Sequence, residues 1–146
     1  MGGESVGSRQ SPVDSRKKII QNIFIMATGF RNLLAYKKAL SLAMDIFKRT
    51  ENFPKKEDYS LTSQIRRSSR SVCSNIGEGY RKRLYPAHFV SKMTDADMEN
   101  TETQVWFDFA LQCNYISKEE YDNYNKHSEE VGRLLNHMIN SPEKYK

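Results

Sequence analysis

Leu61, Ile65, Ser68, Val72, Ile76 and Gly79 recur three or four residues apart, the interval at which a helix turning about 100° per residue brings side chains back to one side. A segment that keeps this period over residues 61–79 can bury its apolar stripe only as an amphipathic helix. Arg66, Arg70 and Arg81, with Arg67 further round, fall on the opposite side, and the 64–83 stretch holds six of the chain's 23 Lys and Arg. Small residues on the apolar side allow another helix to approach closely.

The same period recurs on both sides of this segment. Ala35, Tyr36, Ala39, Leu42, Ala43, Ile46 and Phe47 define a helix face that begins near Arg31, opposite Lys37, Lys38, Asp45 and Lys48. Asn52-Phe53-Pro54 ends it, and the second helix is predicted from about Tyr59 to Lys82. Pro86 fits the first turn of a third helix reaching about Cys113. Ser117 and Glu120 form a capping-box pattern for a fourth, which Ser141-Pro142 stops after Asn140. No strand-like alternation competes. Short connections favour antiparallel neighbours, so the predicted fold is all-α, an antiparallel up-down-up-down four-helix bundle over residues 30–142.

A length of 146 residues fits one such domain. Residues 1–29 are predicted to be a disordered or arm-like extension, because 1–18 are rich in Gly, Ser, Arg and Lys without periodicity. Translation from Met26 and a translated arm both remain open. No apolar run approaches the roughly 20 residues that span a bilayer, so no membrane crossing is expected. Cys73 and Cys113 lack metal-ligand spacing and read as reduced, buried thiols of a cytoplasmic protein.

The net charge of +5 is unevenly spread. Residues 31–83 hold 13 basic against 5 acidic side chains, and residues 84–146 hold 6 against 11. Such asymmetry fits either a polyanion-binding face or basic and acidic helices that pair with each other. The third helix adds a second constraint. Phe89, Met93, Ala96, Thr103, Phe107, Ala110 and Leu111 form one stripe, yet Met98, Val105 and Phe109 lie nearly opposite, with Trp106 to the side. One core cannot bury both faces, and a second copy of the chain is the economical partner. Met98, Val105, Trp106 and Phe109 are therefore the candidate homo-oligomer interface. The alternatives are scattered exposed residues or cover by the N-terminal arm.

Gln64-Ile65-Arg66-Arg67, Ser71, Ser74-Asn75-Ile76 and Glu78-Gly79 resemble the bacterial four-helix-bundle family linked to intervening sequences in 23S ribosomal RNA genes. Phe53-Pro54, Glu102-Thr103-Gln104 and Ala110-Leu111 before Tyr115-Ile116 follow in the order expected of that family. The resemblance covers roughly residues 30–140. It departs at Gly77, where the family usually has Ala, and at Asn114, where it usually has Gly. The resemblance implies an antiparallel bundle assembled as a homopentamer, without established enzymatic activity. Accessory variability proteins of diversity-generating retroelements look similar and work with nucleic acid.

The residues support several readings. Arg66, Arg67, Arg70, Arg81, Lys82 and Arg83 suit contacts with the phosphates of RNA or DNA, extended by Arg31, Lys37 and Lys38. Pairing of Arg66, Arg67 or Arg70 with Asp95, Glu99 and Glu102, at a subunit contact, is the competing reading. Asn75 calls for a hydrogen-bond partner, from backbone or Gln64. Gly77 and Gly79 call for close packing or a terminal bend to offset about 1 kcal/mol of helix propensity each. Arg83 and His88 match the R-x4-H spacing of HEPN ribonucleases, but the pair straddles a helix break. Tyr121 and Tyr124 read as core or interface aromatics beside Val131, Leu135 and Met138. No catalytic residue, metal ligand or cofactor is expected. The chain reads as a non-enzymatic oligomeric adaptor for nucleic acid, with a structural or protein-interaction module as the alternative.

Overall fold

The computed structural model describes residues 12–26 and 29–146, and every regular element among them is helical. Helix α1, Pro12–Met26, carries proline at its first position and Asp14 in its first turn, where a missing N–H costs nothing and a negative charge meets the positive end of the helix dipole. Its residues 12–18 belong to the stretch predicted to lack structure. Composition was the poorer guide there, because no Gly or Pro after Pro12 breaks the helix. Residues 1–11 of that stretch lie outside the described residues.

The four predicted helices follow within a few residues of their expected ends. Gly29, in the left-handed region at φ 74°, starts a 3-10 turn, Gly29–Asn32, ahead of α2, Leu34–Thr50. Next come α3, Leu61–Arg81, α4, Pro86–Gln112, with proline in its first turn, and α5, Lys118–Asn140. The Ser117 hydroxyl accepts from the Glu120 N–H and the Glu120 carboxylate from the Ser117 N–H, both at 3.1 Å. That capping box satisfies two donors a helix start would otherwise leave open.

Helix α4 ends in a Schellman motif. Tyr115 N–H donates to the Ala110 carbonyl and Asn114 N–H to that of Leu111, each at 2.9 Å, which leaves Asn114 left-handed at φ 61°. This geometry accounts for the glycine expected there from the family resemblance. Cys113 sits at the same helix end and is exposed, a correction to its expected burial.

Helices α2 to α5 pack each on its neighbour in sequence, and α2 also packs on α5. Leu61, Ile65, Ser68, Val72, Ile76 and Gly79 are all buried, as their period predicts. Phe89 and Met93 of α4 and Leu135 of α5 have no exposed surface. Polar groups interrupt the core midway. Ser68 Oγ and Thr103 Oγ1 lie 2.8 Å apart, while Asn100 Nδ2 donates to the Ser128 carbonyl and Ser128 Oγ to Asn100 Oδ1, both at 2.9 Å. Pairing removes most of the cost of burying them. Beyond α5, Tyr145 folds back to stack on Phe89 with ring centroids 5.8 Å apart.

Side-chain pairs between neighbouring helices run in opposite numerical order. Thr50 meets Arg66, Arg67 meets Glu102 while Glu78 meets Lys92, and Asp108 meets Tyr121 while Asn100 meets Ser128. Arg49 meets Glu120 and Lys38 meets Glu130. Among the described residues, no helix is long and apolar enough to cross a membrane.

Candidate functional site

The arginines of α3 divide into two groups by what stands opposite them. Arg66 lies over the C-terminal turn of α2, where carbonyls lack helical partners and the dipole is negative. Its Nε donates to Thr50 Oγ1 at 2.8 Å, its Nη2 to the Phe47 carbonyl at 3.3 Å, and its guanidinium carbon is 4.7 Å from the Phe47 ring centroid. Arg67 turns toward α4 and pairs with Glu102 and with Glu99 at 3.4 Å. Its hydrogen bonds to Glu102 first, then to Glu99, raise its pKa. Both arginines therefore fasten α3 within one chain, whereas the sequence reading put such pairing at a subunit contact.

Three of the remaining cations face solvent. Arg70, Arg81 and Lys82 are exposed and, among the described residues, make no ion pair. Arg70 leans on Phe47, its guanidinium carbon 5.5 Å from the ring centroid. Arg83 bends back over Tyr80, 4.4 Å from that ring, and donates to the Tyr80 carbonyl at 3.2 Å. Arg31 covers the Phe30 ring at 4.5 Å, and Lys38 pairs with Glu130 at 2.8 Å.

Between Arg70 and Arg81 runs a groove of about 480 Å³, lined also by Phe30, Tyr36, Cys73 and Gly77. Burial pushes the Cys73 thiol up to about 12 and raises the Tyr36 phenol above its ordinary value, so both are neutral at pH 7. The sequence reading missed this groove because its walls come from three separate segments. Spacing within α3 gave the only signal, by placing Cys73 and Gly77 one turn apart.

Helix α4 carries the second surface. Met98, Val105 and Phe109 are 67, 42 and 53% exposed, on the side away from the buried Met93, Ala96 and Phe107. Trp106 is half-buried, its ring 5.7 Å from Phe109, and its indole N–H is buried without a hydrogen-bond partner among the described residues. The two apolar faces expected of this helix are both present.

Other candidates resolve into structural roles. Asn75 Nδ2 donates to the Ser71 carbonyl at 2.9 Å, and Gln64 pairs instead with Arg67. Tyr124 stacks on Phe107 at 5.4 Å and Tyr121 donates to Asp108 at 2.6 Å. They thus pack at the other end of the core from Val131, Leu135 and Met138, correcting their expected neighbours. Exposed His88 stands edge-on to Tyr85 at 6.3 Å, while Arg83 is committed to Tyr80. His137 Nδ1 lies 2.7 Å from the Tyr145 hydroxyl. Among the described residues, no three His, Cys, Asp or Glu side chains are grouped to hold a metal.

Comparison with known proteins places the chain in a family. A crystal structure of a protein of unknown function from the S23 ribosomal protein family of Bacteroides thetaiotaomicron is 29% identical, with a TM-score of 0.65 over 73% of this chain and 96% of that one. No curated protein matches the chain. A family model described as 23S rRNA-intervening sequence protein matches residues 31–137, which span the helices carrying both the arginine groups and the exposed α4 face. The chain belongs to the 23S rRNA-intervening sequence protein family.

Proposed function

We propose that this protein is a non-enzymatic, homo-oligomeric adaptor of the cytoplasm that binds the backbone of RNA or DNA through the solvent-facing cations of α3. The opposed order of side-chain pairs between helices supports an antiparallel up-down-up-down four-helix bundle as its scaffold. The observation that carries the binding assignment is the exposure of Arg70, Arg81 and Lys82 without an ion pair among the described residues. A guanidinium left in water keeps its donors for phosphate, whereas one already bonded must give up its carboxylate or carbonyl first. Arg83 and, less directly, Arg66 and Arg67 flank this set. Binding of this kind is sequence-independent and releases counterions, so affinity falls steeply with salt.

The exposed Met98, Val105 and Phe109 favour the complementary reading of a self-assembling module, with Trp106 at the edge of the contact. The family resemblance suggests five copies. Because α3 and α4 carry the two surfaces separately, assembly and nucleic-acid binding are compatible in one molecule. Oligomer mass by light scattering and RNA and DNA binding across a salt series test both. A monomer would remove the assembly reading, and absence of salt-sensitive binding would remove the adaptor reading.

A further inference from the structure

The groove between Arg70 and Arg81 differs from a plain basic surface because its centre is apolar and uncharged. Its wall toward α2 is formed by Tyr36 and Phe30, whose rings meet edge to face at 5.0 Å. On the α3 side are Cys73, Ser74 and Gly77. Gly77 has no side chain to fill the space, and a Cβ there would reach Phe30 only at ordinary contact distance, 3.5 Å. Among the described residues, the one carboxylate along the groove, that of Glu78, is held at 2.9 Å by Lys92.

Cations therefore sit at both ends of an aromatic, neutral trough. Arg70 and Arg81 are eleven positions apart on α3, about 16 Å at 1.5 Å per residue. That length matches about five phosphates of one stacked strand at 3.4 Å each. A volume of about 480 Å³ falls within the range of ordinary small-molecule sites. A paired base cannot enter such a trough, since its edges and faces are occupied in the duplex.

We infer that the groove takes an unpaired base of a single-stranded RNA or DNA whose backbone, running a few nucleotides past that base, meets Arg70 on one side and Arg81 on the other, so that the protein prefers single strands to duplex. The inference rests on the nucleic-acid reading above and adds its substrate class. The Ser74 hydroxyl already donates to the Ser71 carbonyl at 3.1 Å, which leaves the Tyr36 phenol as the polar group available to a base edge.

The test uses the full-length chain and three fluorescent probes: a single strand, the same strand with one abasic position at its centre, and the duplex. Ser74→Leu fills the trough from an exposed helical position without changing charge, and Gly77→Leu is a second, independent block. Wild type is expected to bind the single strand at least about fivefold more tightly than the duplex or the abasic strand, as base stacking on aromatic side chains allows. Either blocking variant should erase that difference and leave duplex affinity unchanged. Equal, salt-sensitive binding of all three probes, insensitive to both variants, overturns the groove assignment while leaving the backbone-binding reading intact. No binding of any probe overturns both. A change in oligomer mass caused by Ser74→Leu, without loss of single-strand preference, assigns the groove to a contact between copies and also overturns the inference.

Discussion

Gly77 and Gly79 lie two positions apart on one helix, yet alanine at each should move stability in opposite directions. A Cβ at Gly79 would stand 2.6 Å from Met93 Cε and 2.8 Å from Lys92 Cβ. Lys92 Cβ is fixed to the α4 backbone, and Met93 is fully buried, so neither can swing aside. Helices α3 and α4 would have to separate by several tenths of an ångström. Overpacking of this sort costs about 1–3 kcal/mol, of which the better helix propensity of alanine returns about 1 kcal/mol. The net expectation for Gly79→Ala is a loss of up to about 2 kcal/mol, or up to roughly 6 °C in Tm for a chain of this size. At Gly77 the nearest atom to a new Cβ is in the Phe30 ring at 3.5 Å, so only the propensity gain remains. Gly77→Ala should raise Tm by about 2 °C. Thermal unfolding by circular dichroism at one fixed protomer concentration separates the two, since oligomerisation makes Tm concentration-dependent. A Gly79→Ala protein stabilised as much as Gly77→Ala would refute the close α3–α4 approach.

Three further outcomes are expected. Asn114→Gly should stabilise the protein by up to about 1 kcal/mol in urea unfolding, because the φ of 61° at that position costs a side-chain-bearing residue more than glycine. The hydrogen bond from Arg49, chiefly, holds the Glu120 carboxyl below its ordinary pKa. Its contribution is thus present above the unfolded value of about 4.3 and is lost as pH falls through the lower folded value. Both partners are about one-third exposed, so solvent screening limits the pair to about 1 kcal/mol. Glu120→Gln should lower Tm at pH 7 and approach wild type by pH 3; a deficit independent of pH would contradict the linkage. Replacing Met98 and Phe109 together by Ser should reduce the oligomer mass seen by light scattering while leaving helix content unchanged, and an unaltered mass would take the α4 face out of the assembly.

Helix ends and core faces were legible because local chemistry decides them. Pro86, the Ser117–Glu120 box and Ser141-Pro142 each act within a turn or two, and the period of α3 named all six of its buried stripe residues. The fate of the arginines was not legible. Helical spacing places Arg66, Arg70 and Arg81 on one side of an axis but does not say that the end of α2 stands over Arg66 and solvent over Arg81. The same limit hid the groove, whose Phe30 and Tyr36 meet Cys73 only through packing. Helix α1 was missed for another reason: a polar, Gly- and Ser-rich neighbourhood suggested no structure, although the breakers in it lie at or before Pro12.

The division of the α3 cations into tied and open groups is the claim most exposed to experiment. The direct measurement is the slope of log affinity for a single-stranded RNA against log salt, compared between Arg66→Gln/Arg67→Gln and Arg70→Gln/Arg81→Gln proteins of verified oligomer mass. The open pair is expected to lose affinity and to flatten the slope by about 1–2 with Tm unchanged. The tied pair is expected to lower Tm and keep the slope of wild type. An unchanged slope in Arg70→Gln/Arg81→Gln, or a flattened one only in Arg66→Gln/Arg67→Gln, would contradict the account.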